Sequence, residues 1–153
     1  MTTLQQMSDQ KTAQNTIQLN VTKWTFMLCD ALRQNYIDYS IRSILRNGDA
    51  NSDYNKARLE DLRNGHCGEV DFIFESGRKY HKIWHVDGSG HRSCHAFIDK
   101  KTGEVYKPAS YKAPAKGVRF NLSIIKEREY LLNPANCDWA GGYLYRNSTY
   151  FCS

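Results

Sequence analysis

An α+β fold, with N-terminal helices packed on one face of a four- to five-stranded antiparallel meander sheet, follows from three observations. A helical period occupies the first third of the chain, and a strand period with glycine-marked turns occupies the middle. The connections between the strands are too short for crossovers. Helices, then strands, then a helix is the order of an α+β domain, and 153 residues suit a single one.

Met1 to Gln18 is polar and lacks the apolar stretch of a signal peptide, so it reads as a flexible tail or a weak helix start. From Thr22 to Asn47, Trp24, Leu28, Ala31, Leu32, Ile37, Ile41, Ile44 and Leu45 recur mostly at three- and four-residue steps, which predicts a helix. The stripe drifts near Asn35, where a bend is expected, and Asn47-Gly48 is a stop signal. Ser52 caps a second helix that runs to Arg63 and ends at Asn64-Gly65. Strands follow at Val70–Glu75, Lys79–Val86, Ser93–Asp99 and Glu104–Lys107, separated by Ser76-Gly77-Arg78, by Asp87-Gly88-Ser89-Gly90 and by a short loop containing Gly103. Ser123 to Leu132 reads as a helix capped by Ser123 and halted before Pro134. Trp139 to Phe151 is aromatic and glycine-containing, a final strand or a docked irregular segment.

Composition excludes the extremes. Apolar residues make up 41% and charged residues 24%, ordinary values for a globular protein, and no stretch has the length of a membrane span. The five cysteines, Cys29, Cys67, Cys94, Cys137 and Cys152, are odd in number and irregular in spacing, which predicts free thiols and a cytoplasmic setting. The net charge of +5 is mild, but it is unevenly placed. Between Asp99 and Arg128 eight basic residues face three acidic ones, and Tyr106 to Ile125 contains no acid. A local positive field is expected there.

The segment Lys107-Pro-Ala-Ser-Tyr-Lys-Ala-Pro-Ala-Lys-Gly-Val-Arg-Phe-Asn121 carries the chemistry. Its two prolines fix φ and remove two donors, so the loop has less entropy to lose on binding. Gly117 permits a sharp turn. Lys112, Lys116 and Arg119 supply cations for phosphate, Ser110 and Asn121 supply short polar groups, and Tyr111 and Phe120 supply ring faces. A solvated surface loop has a similar composition.

The stretch from His95 to Asn121, with its D-x-x-T-G-x-V-Y turn and its aromatic-K-A-P-A-K-G-x-R segment, resembles small proteins of bacteriophage and prophage genomes. Within that group it is similar to the first class of Thoeris anti-defence proteins, sponges that withhold a cyclic ADP-ribose isomer from a bacterial immune system. The likeness covers residues 95–121 and touches the helical half only in outline. It implies a homo-oligomeric phage protein in the host cytoplasm that binds a small phosphate-bearing nucleotide without cofactor or metal. Arg119 is then the foremost phosphate contact, with Arg42 or Arg46 contributed from a partner subunit. The ligand-binding set is Phe97, Lys107, Ser110, Tyr111, Lys112, Lys116, Arg119, Asn121, Arg42 and Arg46.

Competing readings have less behind them. His81, His85, His91, Cys94 and His95 crowd fifteen residues, but their spacing matches no zinc motif and regular strand alternation scatters them over two faces. No nucleophile–base pair, P-loop or dinucleotide fingerprint appears, so no catalysis is expected. The alternative function is a nucleic-acid-binding or host-polymerase-directed phage protein, in which basic residues interleaved with Tyr106, Tyr111 and Phe120 track a single strand; a pI of 8.9 is low for that task. A protein-interaction module built on the aromatic tail is a third reading.

Overall fold

The computed structural model describes residues 3–68 and 70–145. It opens with one helix, α1 (Leu4–Asn47), which at 1.5 Å per residue is about 66 Å long. The helix begins where a tail or weak start was expected, because Thr3 and Gln6 form a reciprocal capping box. Residues 4–17 are all exposed, and the first buried position is Val21. From there Val21, Thr25, Leu28, Leu32 and Ile37 form the face turned to the core. The helix is unbroken at Asn35, and Leu45, expected in the stripe, is 54% exposed. Helix α2 (Asp53–Arg63) has the expected bounds, with the Ser52 hydroxyl accepting from Asn55 N–H.

Five antiparallel strands follow in sequence order as a meander: β1 (Asp71–Ser76), β2 (Tyr80–Val86), β3 (Arg92–Asp99), β4 (Glu104–Tyr106) and β5 (Phe120–Asn121). Phe72, Ile83, Ala96, Ile98 and Val105 point from the sheet into the main core, where they meet Leu28, Leu32 and Leu131. A smaller cluster of Ile37, Leu62 and Cys67 ties α2 to α1. Fully burying a side chain of this size is worth roughly 1.5–3 kcal/mol, so these two clusters dominate the favourable side of folding.

Two polar clamps fix α1 on the sheet. At one end, Arg33 Nε donates to Asp71 Oδ1 at 2.6 Å and its Nη2 to the Phe72 carbonyl at 2.7 Å. At the other, His81 lies between Thr22 Oγ1 at 3.1 Å and Ser76 Oγ at 2.7 Å. Thr22 already donates its hydroxyl hydrogen to Gln18 O, so it accepts from His81, which places the imidazole hydrogen on Nε2 and leaves Nδ1 to accept from Ser76.

After β5 comes α3 (Ile125–Leu131), two residues later than expected. Ser123 is not its cap: the hydroxyl donates to Thr102 O, and the N-cap position is Ile124. The chain then returns to α1. Asn35 Nδ2 donates to Pro134 O and Cys137 O, both at 2.8 Å, and its Oδ1 accepts from Trp139 N–H at 2.9 Å. A 3-10 turn at Gly142–Tyr145 buries Tyr143 and Leu144, so the segment after Trp139 is irregular and docked as far as Tyr145; residues 146–151 of the expected aromatic tail lie outside the described residues. Cys29, Cys67, Cys94 and Cys137 are free thiols, the first two and the last of them buried.

Candidate functional site

The proline-bearing loop is closed on itself. Pro108 and Pro114 face each other as an isolated bridge, Ala115 N–H donates to Lys107 O at 2.7 Å, and Ala109 N–H donates to Ala113 O at 2.9 Å. Ser110 Oγ accepts from Lys112 N–H at 3.2 Å and finishes the tip. Gly117 takes φ 97°, in the left-handed region where a side chain is strained, and the strand β5 starts three residues later. The tip is anchored to the sheet by Lys82 Nζ, which donates to Tyr111 O.

That anchor borders a cleft of about 260 Å³ on the sheet face turned away from α1. Successive strand residues alternate faces: His81 and Ile83 turn to α1, whereas Tyr80 and Lys82 turn outward, and Phe97 pairs with Lys82 on the same outer side. Phe97 is 2% exposed and meets Tyr80 edge-on at 5.5 Å, giving the cleft an aromatic floor. Around it stand Arg78 and Lys79 from the β1–β2 turn, Lys82 from β2 and Lys112 from the loop. Lys82 Nζ lies 5.2 Å from the Phe97 ring centre, within cation–π range. The one carboxylate among the described lining residues, Glu75, is bonded to Arg92, which holds it below the usual carboxylate range. Four cations therefore face a single carboxylate that already has its own partner. Such a surface attracts phosphate; the Phe97 ring is covered by Tyr80 and Lys82, and the ring with an open face is the half-buried Tyr80.

The cleft unites Phe97 and Lys112 of the residues singled out in the sequence. The others are placed differently. Tyr111 is 61% exposed and contributes its carbonyl to the Lys82 anchor, and Lys116 is exposed. Asn121 has its Oδ1 bonded to Ser123 N–H and its own N–H to Glu127, so it shapes the turn into α3. Arg119 donates its backbone N–H to Val105 O, and its Nε is enclosed without a hydrogen-bond partner; it is not in the cleft lining. Lys107 has its Nζ 3.9 Å over the Tyr145 ring, in a different cleft. Arg42 lines a third cleft beside Asn35, Tyr39 and Trp139, and Arg46 sits in the last turn of α1. The Thr22 end of α1 meets the sheet beneath the β1–β2 turn and Arg33 meets the other end of β1, so Arg42 and Arg46 lie further along that helix, away from the basic cleft.

Arg78, Lys79 and Lys82 were missed at the sequence level. Their signal was the run Arg78-Lys79-Tyr80-His81-Lys82, basic and aromatic, entering a strand whose alternation turns Tyr80 and Lys82 to one side. The histidines divide as well. His81 is buried between two hydroxyls, and burial pushes its pKa down to about 4. His95 bonds Tyr143 OH at 2.8 Å, and burial pushes it down to about 3. Among the described residues no three His, Cys, Asp or Glu side chains are grouped to hold a metal ion. No described helix is long and apolar enough to cross a membrane.

No curated protein and no solved structure matches the chain. A family model does, over residues 4–146: the chain belongs to a family of unknown function (DUF7717).

Proposed function

We propose that this protein is a non-enzymatic binder of a small phosphate-bearing nucleotide, held in the cleft between the β1–β2 turn and the proline-pinned loop. The observation that carries the reading is the convergence of Arg78, Lys79, Lys82 and Lys112 over the buried Phe97 ring. Cations on the rim meet the phosphates, and the half-buried Tyr80 ring meets the base. The loop's own hydrogen bonds favour binding, because a segment already closed gives up little conformational entropy when a ligand arrives. Taken with the resemblance of residues 95–121 to phage anti-defence sponges, the biological role is sequestration: the nucleotide, a cyclic ADP-ribose isomer or a related cyclic nucleotide, is withheld from a bacterial immune system and left chemically intact. A homo-oligomer is part of this proposal, in which Arg42 or Arg46 contributes from another subunit.

The test is retention. The purified protein is incubated with a nucleotide pool that includes cyclic ADP-ribose isomers, desalted and denatured, and the released molecules are weighed by mass spectrometry. Recovery of an unaltered nucleotide is expected, with loss on replacing Arg78→Ser and Lys112→Met together. Unchanged retention in that double variant removes the basic cleft from the argument. Recovery of a modified product replaces binding by catalysis. Steeply salt-dependent binding of single strands in place of a small molecule favours the nucleic-acid reading.

A further inference from the structure

A second cleft, of about 290 Å³, opens at the other end of the β2–β3 pair, where the start of the proline-pinned loop meets the C-terminal segment. Its position is set by the one irregularity in that pairing. Ile83 pairs with Ala96 and Trp84 with Cys94, so His95 is the extra residue of a β-bulge. The bulge breaks the alternation that would have turned His95 outward, and the ring instead packs edge-on against core Phe72 with Nε2 bonded to Tyr143. Gly141, at φ 89°, takes a backbone conformation that side chains rarely adopt, and it lies beside the imidazole. The wall is held by the Tyr143 hydrogen bond and the contact with Phe72.

Three further features describe an occupant. Lys107 is the only formally charged residue among the described lining, with no carboxylate to oppose it. Trp139 and Tyr145 supply ring surfaces, and Lys107 Nζ lies 3.9 Å over the Tyr145 ring, so the charge sits beside an aromatic face. His85 stacks on Phe72 at 5.0 Å, and its Nε2 is screened from water without a hydrogen-bond partner, an arrangement that buried polar atoms seldom keep. Both imidazoles are held neutral at physiological pH by burial, so they offer hydrogen bonds and no charge.

We infer that this cleft is a second ligand site, separate from the basic cleft, for a planar ring-bearing molecule with one anionic group. The anion pairs with Lys107, and the ring lies against Trp139 and Tyr145. One cation, against four in the basic cleft, selects a compact head of one or two negative charges over a polyphosphate. The head is either a phosphate monoester or a carboxylate, and the experiment separates these.

Adenosine 5′-monophosphate and benzoate are titrated into the full chain while the side-chain NMR signals of His85, His95 and Trp139 are followed. Saturable shifts of these signals are expected with at least one probe; a response to the nucleotide alone assigns a phosphate head and to benzoate alone a carboxylate. Lys107→Met is expected to weaken that binding by about tenfold or more, the worth of one charged hydrogen bond. Lys107→Arg restores it, and Lys112→Met, which alters only the basic cleft, leaves it unchanged. The absence of saturable shifts with both probes, shifts that ignore Lys107→Met in a folded variant, or shifts abolished by Lys112→Met each overturn the assignment. None of these outcomes depends on whether the basic cleft retains a nucleotide.

Discussion

Lowering the pH from neutrality to about 5 should strip this protein of ~4 kcal/mol of stability, through two histidines alone. His81 and His95 are 2% and 7% exposed, and burial lowers their pKa from the ordinary 6.5 to about 4 and about 3. The nearby Lys100 adds to the effect on His81, and His85 adds to it on His95. A depressed folded pKa means that the unfolded chain takes up the proton first. The stabilisation is complete above 6.5 and is lost as pH falls toward the folded values. Near pH 5 each imidazole is almost fully protonated in the unfolded chain and almost unprotonated in the fold, a difference of ~2 kcal/mol per residue. That is a large share of the roughly 5–15 kcal/mol typical of a domain. The carboxylates lowered by their partners, Glu75 and Asp87, act only below the usual carboxylate range and fall in a separate, more acid window. The assay is urea unfolding followed by circular dichroism at intervals of pH. The midpoint should fall between about pH 6.5 and 4.5 with a slope of at least two protons, to which His85, also lowered by burial, adds its share; His81→Gln should lower that slope by one. A midpoint that stays level between neutrality and pH 5 would show that these imidazoles titrate normally, and the reasoning from burial would be wrong.

Two further outcomes follow from the packing. Asn35→Ala removes three hydrogen bonds that hold residues 134–139 against α1, and at about 1 kcal/mol each it should cost ~2–4 kcal/mol in urea unfolding, with the Trp139 environment altered in the residual fold. Deleting residues 1–13 removes only exposed helix among the described positions, so stability measured in the same way should change by less than ~1 kcal/mol.

Much of the fold was legible because its signals are local. The hairpins announce themselves through Gly77, Gly88, Gly90 and Gly103 between alternating segments, and Ser52 and Asn64 bracket α2 to the residue. What could not be read depends on distant partners. Strand β5 is two residues long, Phe120 and Asn121, too short for any period; its pairing with Val105 and Glu104 defines it. Ser123 has the right chemistry for a cap, but Thr102 O lies nearer its hydroxyl. The bulge at His95 carries no sequence mark, so regular alternation put that ring on the wrong side. For the site, the loop's composition drew attention to its cations and away from Arg78, Lys79 and Lys82, which reach Lys112 only once β2 has turned its outward face beneath the loop. Arg119 stood out by charge and motif, whereas its backbone place at the entry to β5 keeps it out of the basic cleft lining.

The bonds from Asn35 to Pro134, Cys137 and Trp139 span 99, 102 and 104 residues of chain. The meander, by contrast, joins each strand to the next, and contacts between near neighbours form sooner than those that must close a long loop. The two clefts thus differ in the order of their assembly. The basic cleft is made from one hairpin and the loop that follows it. The cleft beside Trp139 waits until the end of the described chain has returned to a helix made near its beginning. On a ribosome, the first exists before the second has its third wall.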